Sequence, residues 1–135
     1  MTPEVLSAQL QSVFGCGPLP LADGSPRALR TQAGEVLELR YSQEPQALCA
    51  ALPLGRLNES RREEALVRLL RTDLHLAHVG SPHLALAPHD AQVYFCCTLP
   101  LEGDDAPWLV DRLQRLVSAA PQMREALASE QVLGA

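Results

Sequence analysis

The chain contains no lysine, so all eleven basic residues are arginines, and sixteen acidic residues outnumber them. The formal net charge at pH 7 is therefore -5. The arginines form no long run of the kind that attracts a phosphate backbone. This charge pattern predicts that nucleic acid is not a partner. It does not exclude partner proteins with basic or apolar surfaces.

Long apolar runs are also missing. No stretch reaches the roughly 20 residues that span a bilayer. The first helix-like segment carries Glu4 and no basic residue, which is not the pattern of a secretory signal. We therefore expect a soluble protein of the cytoplasm that does not enter a membrane.

The four cysteines follow neither a CxxC motif nor the spacing of a disulfide framework. Cys96 and Cys97 are neighbours on a predicted strand, where adjacent side chains point to opposite faces, which disfavours a disulfide between them. The prediction is buried free thiols in a reducing cytosol for Cys16, Cys49, Cys96 and Cys97.

Motifs of catalytic or metal chemistry are missing too, since the chain has no HExxH, GxSxG, GxGxxG or GxxxxGK[ST] pattern. A zinc site needs three or four convergent ligands. The four histidines are equally consistent with solvent-facing side chains on a connector. We expect a protein that is not an enzyme and needs no cofactor or metal. The alternative is a small metal- or thiol-dependent enzyme that uses His75, His78 or His83 with Cys49 or Cys96.

What the chain does contain is a pattern of helices and strands that suits one domain, residues 1–135. Thr2 and Pro3 are typical of a helix start, and Gly15 ends that helix. In the last helix Pro121 should cause a bend or an early end, and the tail from Ser129 is expected to fray. The elements are a first helix up to residue 15, strands at 28–31, 35–41 and 46–54, a helix at 59–74, strands at 83–87 and 91–101, and a last helix at 107–127.

This α-βββ-α-ββ-α order, with strands joined as antiparallel hairpins, predicts an α+β fold in which three helices accompany a twisted antiparallel sheet. The strand at 46–54 is apolar on both faces, which places it centrally in the sheet or beneath something that binds. The first helix is poor in charge. The two-faced strand and this helix therefore give the chain more apolar surface than one core needs, and exposed apolar surface usually marks a protein-binding site.

The helix at 59–74 has an apolar face too wide for one neighbour. At about 100° per residue, its leucines with Ala65 and Val67 spread over roughly 200° of arc, whereas a helix covering one sheet shows a stripe nearer 100°. The extra width predicts a neighbour outside the subunit. A second copy of the chain fits best because two-fold dimers are the commonest oligomers. The alternative is that loops or the last helix cover the second flank within a monomer.

The sequence resembles the class I chaperones of bacterial type III secretion, the family that includes the Tir chaperone. The resemblance lies in GEVLELRY followed by ALCAALPLG, and in the central helix with its leucine pair at 69–70. After that helix come a short connector at Gly80, strand leucines at 84 and 86, Val93 and a closing Leu-Pro-Leu at 99–101.

The resemblance continues into a last helix whose apolar line includes Leu109, Leu113 and Val117. It covers about residues 35–127 and extends to the first helix. Thr72-Asp73 and His75 depart from the family pattern just after the leucine pair, which affects the connector more than the fold.

The resemblance implies a homodimeric, ATP-independent chaperone of the bacterial cytoplasm. It would bind the N-terminal segment of a secreted effector in extended form and keep it soluble and export-competent. No cofactor is implied, and the secretion ATPase is a candidate further partner. The alternative within the same fold is a chaperone-like regulator or adaptor of the secretion apparatus.

The resemblance also nominates residues by position. In the family, the central helix and the adjoining strand form the dimer, which here gives Leu66, Leu69, Leu70, Leu74, Leu84 and Leu86. Apolar patches on the first helix and the sheet hold the effector, partly through a strand added to a sheet edge. The candidates, several of which must instead be core, are Val5, Leu6, Leu10, Val13, Leu29, Leu37, Leu39 and Leu48.

Overall fold

The structure, a computed structural model, describes residues 1–78, 82–101 and 106–134. The helices in this part of the chain are α1 (Pro3–Phe14), α2 (Arg62–His78) and α3 (Ala106–Ser129). The strands are β1 (Arg27–Arg30), β2 (Val36–Gln43), β3 (Gln46–Arg56), β4 (His83–Leu86) and β5 (Gln92–Pro100), and a short 3-10 turn at Glu59–Arg61 leads into α2. The predicted α-βββ-α-ββ-α order and the α+β class are confirmed. The predicted connectors at Gly80-Ser81 and Gly103-Asp104-Asp105 lie outside the described residues.

The strands form one antiparallel sheet in the order β1-β2-β3-β5-β4. β3 is its central strand, as its two apolar faces predict. Because successive side chains point to opposite faces, Leu48, Ala50 and Leu52 are buried while Cys49 and Ala51 on the other face are half-buried. The sheet therefore has a core face and an open face, with β1 and β4 as its edges.

Helix α1 begins and ends as predicted. The Thr2 hydroxyl accepts a hydrogen bond from the Val5 N–H at 3.2 Å, which caps the helix start. Gly15 adopts a left-handed φ of 63°, and its N–H donates to the Gln11 carbonyl at 2.9 Å. A left-handed residue at this position is typical of a helix end, and glycine takes it without strain.

The core lies between the sheet and the helices α1 and α3. Helix α3 packs across β3 and β5, and α1 packs beside α3. None of the helices in the described ranges is long and apolar enough to cross a bilayer. The helix side chains buried in this core are Leu6, Leu10, Phe14, Leu109, Leu113, Leu116, Ala120 and Leu127.

The C-terminal end differs from the prediction at two points. Of the bend or early end expected at Pro121, the early end is wrong, because α3 continues to Ser129. A proline inside a helix costs about 3 kcal/mol, but Leu116 and Leu127 on either side of it are both buried. Fixing both leucines in the core requires the helix to continue, so tertiary packing outweighs the local penalty.

The tail after α3 does not fray either. Val132 is fully buried, and Leu133 forms a bridge with Leu57 just after β3. The Asn58 N–H donates to the Val132 carbonyl, and the Gly134 N–H donates to the Arg56 carbonyl, both at 2.8 Å. Apolar burial and paired backbone groups hold the tail against the end of the central strand.

Helix α2 lies beside the β4 edge of the sheet. Its buried residues Ala65 and Leu69 belong to the same core cluster as Leu84 of β4. An Oδ1 atom of Asp73 accepts the N–H of Leu84 at 2.8 Å, so a carboxylate covers part of this edge. The helix also extends beyond Leu74, the last residue of the predicted helix, to His78.

One side chain ties α3 to the sheet. Arg124 donates through Nη1 and Nη2 to the two carboxylate oxygens of Glu35 at 2.9 and 2.8 Å. The same guanidinium donates to the carbonyls of Leu54 at 3.0 Å and Pro53 at 3.1 Å. The hydrogen bonds from Arg124 hold the pKa of Glu35 below its usual value.

We expect Arg124→Met to lower the free energy of unfolding by about 1–2 kcal/mol, because a partly exposed ion pair and two carbonyls lose their donor. The ion pair between Glu35 and Arg124 should also make the free energy of unfolding depend on pH. Since the pKa of Glu35 is lowered on folding from 4.5, its contribution is present above pH 4.5 and is lost as the pH falls below that value. Urea unfolding from pH 7 to pH 3 measures both effects.

Glu35→Gln is the matched control, since it keeps the side-chain shape and removes the titration. The stability difference between the native protein and this variant should shrink below pH 4.5. A difference that stays constant down to pH 3 would contradict the ion pair.

Candidate protein-binding surfaces

The surface feature that stands out on the described chain is an exposed apolar stripe on α2. Val67, Leu70 and Leu74 are 47%, 66% and 62% exposed. Their spacing of three and four residues places them on one side of the helix. Ala65 and Leu69 on the opposite side are buried, so α2 has two apolar faces and only one of them is covered within the described chain. We call Val67, Leu70 and Leu74 the α2 stripe.

The structure divides the six predicted interface residues. Leu70 and Leu74 lie in the α2 stripe, and Leu66 and Leu86 are half-buried. Leu69 and Leu84 are only 5% and 7% exposed. These two join α2 to β4 within the chain, so we assign them to the core rather than to an interface. Val67 was not among the six nominated residues, although its place in the wide apolar arc of the sequence already set it beside Leu70 and Leu74.

The predicted effector-binding residues are divided in the same way. Val5 is 51% exposed and Val13 is half-buried. The other six have no more than 5% of their surface exposed, so they contribute to the core and leave almost no area for a client. These six core residues are Leu6, Leu10, Leu29, Leu37, Leu39 and Leu48. Helical and strand periodicity identifies an apolar face, and here that face packs inward.

The open face of the sheet carries a shallow depression of about 320 Å³ between β2, β3 and β5. Its lining includes the small side chains of Cys49, Ala51 and Thr98, together with the charged side chains of Glu38 and Arg40. Small residues at the centre of a strand leave a hollow that larger neighbours surround. The hollow could take an apolar side chain from another protein.

Cys49, Cys96 and His83, which the enzyme alternative would use, also line the depression. Cys96 Sγ lies 3.5 Å from His83 Nδ1. Burial, followed by the electrostatic influence of the neighbouring Asp73 and Cys49, raises the pKa of Cys96 to about 11. A catalytic thiol needs a lowered pKa because the thiolate is the nucleophile, so this environment disfavours nucleophilic chemistry at Cys96.

The other histidines of that alternative lie elsewhere. His75 is exposed on α2, beside Arg68 and Arg71, and the His78 side chain lies outside the described residues. Among the described residues, no group of three or more His, Cys, Asp or Glu side chains is placed to hold a metal ion.

The two edges of the sheet differ in their accessibility. At β4, Asp73 of α2 bonds the Leu84 N–H. At β1, the Thr31 N–H donates to the Glu35 carbonyl at 2.8 Å, which fixes the alternation of bonded and non-bonded pairs along β1 and β2. Leu29 then bonds to β2, whereas the backbone groups of Ala28 and Arg30 point away from the sheet. β1 is therefore the edge that can accept another strand.

We expect the Cys96 and Cys97 thiols to react slowly with a thiol reagent at neutral pH. Burial raises the pKa of each from 9.0 to about 11, which lowers the thiolate fraction about a hundredfold. A Cys16→Ala/Cys49→Ala variant isolates the pair, and absorbance with a chromogenic disulfide measures the rate. The urea-unfolded variant is the control and should react at the rate of a free thiol. A folded-state rate above the unfolded one would contradict the assignment and favour the enzyme alternative.

Comparison with known proteins identifies a family and a shared fold. The family model described as the Tir chaperone protein (CesT) family matches residues 6–124. The fold is similar to the ExsC–ExsE complex, with a TM-score of 0.74 and 15% identity over 91% of each chain. It is also similar to the HopA1–SchA chaperone–effector complex, with a TM-score of 0.71 and 17% identity over 90% of this chain and 92% of that one.

A third solved structure is the Yersinia pestis type III secretion chaperone SycH in complex with a stable fragment of YscM2. Its TM-score is 0.61 at 21% identity, over 90% of this chain and 98% of that chain. Sequence comparison with curated proteins gives no significant match. At these identities the structural likeness establishes a shared fold.

Proposed function

The chain belongs to the Tir chaperone protein (CesT) family, and from this premise we propose that it is an ATP-independent chaperone of type III secretion. It acts in the bacterial cytoplasm as a homodimer that binds the N-terminal segment of a secreted effector. The observation that carries the proposal is the family match over residues 6–124. The α2 stripe and the free β1 edge supply the two surfaces that such a chaperone needs.

The α2 stripe supports the homodimer. Fully burying a large aliphatic side chain is worth about 1.5–3 kcal/mol, and Val67, Leu70 and Leu74 are each about half exposed or more. A two-fold interface buries the same three side chains twice. The half-buried Leu66 and Leu86 complete the contact at its margin.

The β1 edge and the open face support the binding of an extended client. An added strand gains main-chain hydrogen bonds from the outward backbone groups of Ala28 and Arg30. A client side chain can fill the depression over Cys49 and Ala51. The exposed Val5 offers further apolar contact on α1.

The mechanism that follows is equilibrium binding. The chaperone covers apolar, aggregation-prone client segments and keeps them extended until the export machinery removes them, so no covalent step is needed. The secretion ATPase is then a candidate partner at the point of release. A regulator or adaptor of the same apparatus would use the same two surfaces and would differ in the identity of its client.

We expect Leu70→Asp to give a folded monomer. Leu70 is 66% exposed within the chain, so the fold tolerates the charge, whereas burying it unpaired at a dimer interface costs several kcal/mol. Light scattering measures the mass, and circular dichroism checks the fold. Val5→Asp, a matched exposed apolar residue on α1, should leave the dimer unchanged. A Leu70→Asp protein that remains dimeric would remove α2 from the interface.

Tagged protein purified from the native bacterium should retain one dominant secreted protein, bound through its N-terminal region to two copies of this chain. Ala28→Pro should reduce the amount retained at least tenfold, because the outward N–H that pairs with a client strand is removed. Ala28→Val keeps that N–H and serves as the control. Retention of the client by Ala28→Pro at the native level would place the client elsewhere on the chaperone.

A further inference from the structure

The exposed side of α2 has the residue spacing of a helix-pairing seam. Glu63, Val67, Leu70, Leu74 and Ala77 follow one another at intervals of four, three, four and three residues, and all five are exposed. This alternation keeps a line of side chains facing a partner helix along its whole length. The α2 stripe therefore suits a second α2 helix better than it suits a sheet.

Charges are distributed unequally along one flank of this seam. Glu64 lies near the N-terminal end of α2, whereas Arg68, Arg71 and His75 follow it on the same flank toward the C-terminal end. Glu64 contacts Arg61 at 3.4 Å, but both side chains are 58% exposed, so this contact is weak.

The basic half of the flank forms an open cleft of about 660 Å³, lined by Arg68, Arg71, Thr72, His75 and Glu130. Arg68 is already engaged, because its Nη1 donates to the Glu130 carbonyl. Arg71 has no ion pair with any residue that the structure describes. Glu130 supplies the single carboxylate of the lining, so the two arginines leave the cleft with a net positive charge.

A two-fold axis perpendicular to α2 makes two copies of the helix antiparallel. The N-terminal half of one helix then lies along the C-terminal half of the other, and the same flank of each meets its counterpart. With the axis between Val67 and Leu70, or at Leu70 itself, Glu64 falls opposite residues about 73–76 of the partner helix. That position is the mouth of the basic cleft, within reach of the long side chain of Arg71.

We propose that, across the antiparallel α2 helices of the homodimer, Glu64 of each protomer enters the basic cleft of its partner and forms an ion pair with Arg71. The cleft is thus completed by the second copy of the chain. A parallel pair would instead bring the cleft against the opposite flank, where Asp73 is already bonded to Leu84. This inference rests on the proposed homodimer and adds to it the ion pair between Glu64 and Arg71.

Charge reversal tests the pair in the full-length protein. Glu64→Arg and Arg71→Glu should each raise the dimer dissociation constant about tenfold, because two symmetry-related pairs become repulsive contacts. The combined Glu64→Arg/Arg71→Glu variant restores opposite charges and should return the constant to within about threefold of the native value. Sedimentation equilibrium gives the dissociation constants, and circular dichroism confirms that each variant is folded.

Arg61→Ala is the matched control on the same helix, since it removes only the contact of Glu64 within the chain and should change the constant less than twofold. A combined variant tighter than both single variants supports the pair. A combined variant no tighter than the single ones, or single reversals without effect, overturns the pair and leaves the dimer standing. A native protein that stays monomeric overturns the dimer and the pair together.

Discussion

The packing of α2 against the β4 edge is the constraint on which the binding surfaces depend. Ala65 and Leu69 are buried in the core cluster that includes Leu84, and Asp73 bonds the Leu84 N–H at 2.8 Å. This contact fixes the rotation of the helix, so the opposite side with Leu70 must face outward. It also covers part of one sheet edge and leaves β1 as the accessible one. This one contact thus leaves accessible both surfaces on which the proposed function relies, the α2 stripe and the β1 edge.

Most of the fold could be predicted because its signals are local. The capping residue Thr2 and the left-handed Gly15 fix the ends of α1, and strand alternation gives the pleat of β2 and β3. The C-terminal tail could not be predicted, since its order depends on Leu133 meeting Leu57, two residues far apart in sequence. The continuation of α3 through Pro121 likewise depends on leucines whose burial is a tertiary property.

The exposure of the nominated binding residues was predicted less well than the fold, for a physical reason. Periodicity shows that a face is apolar, but a core face and a client face have the same pattern. Leu6 and Leu37 therefore looked like contact residues and are fully buried. The surfaces that remain available depend on exceptions to the pattern: the excess width of α2, small residues such as Ala51 at the centre of a strand, and the hydrogen-bond alternation that points the backbone groups of Ala28 away from the sheet.

The strand order also limits how a client can engage both protomers. In the proposed dimer the two α2 helices lie at the centre, and each β1 edge is four strand spacings beyond its own β4. With strands about 4.8 Å apart and helices about 10 Å across, the two free edges are roughly 60 Å apart. An extended chain advances about 3.3 Å per residue, so one client must supply at least about 18 residues to reach both edges. A shorter segment cannot pair with both β1 edges at once, so the length of the client segment decides whether strand addition can involve both protomers.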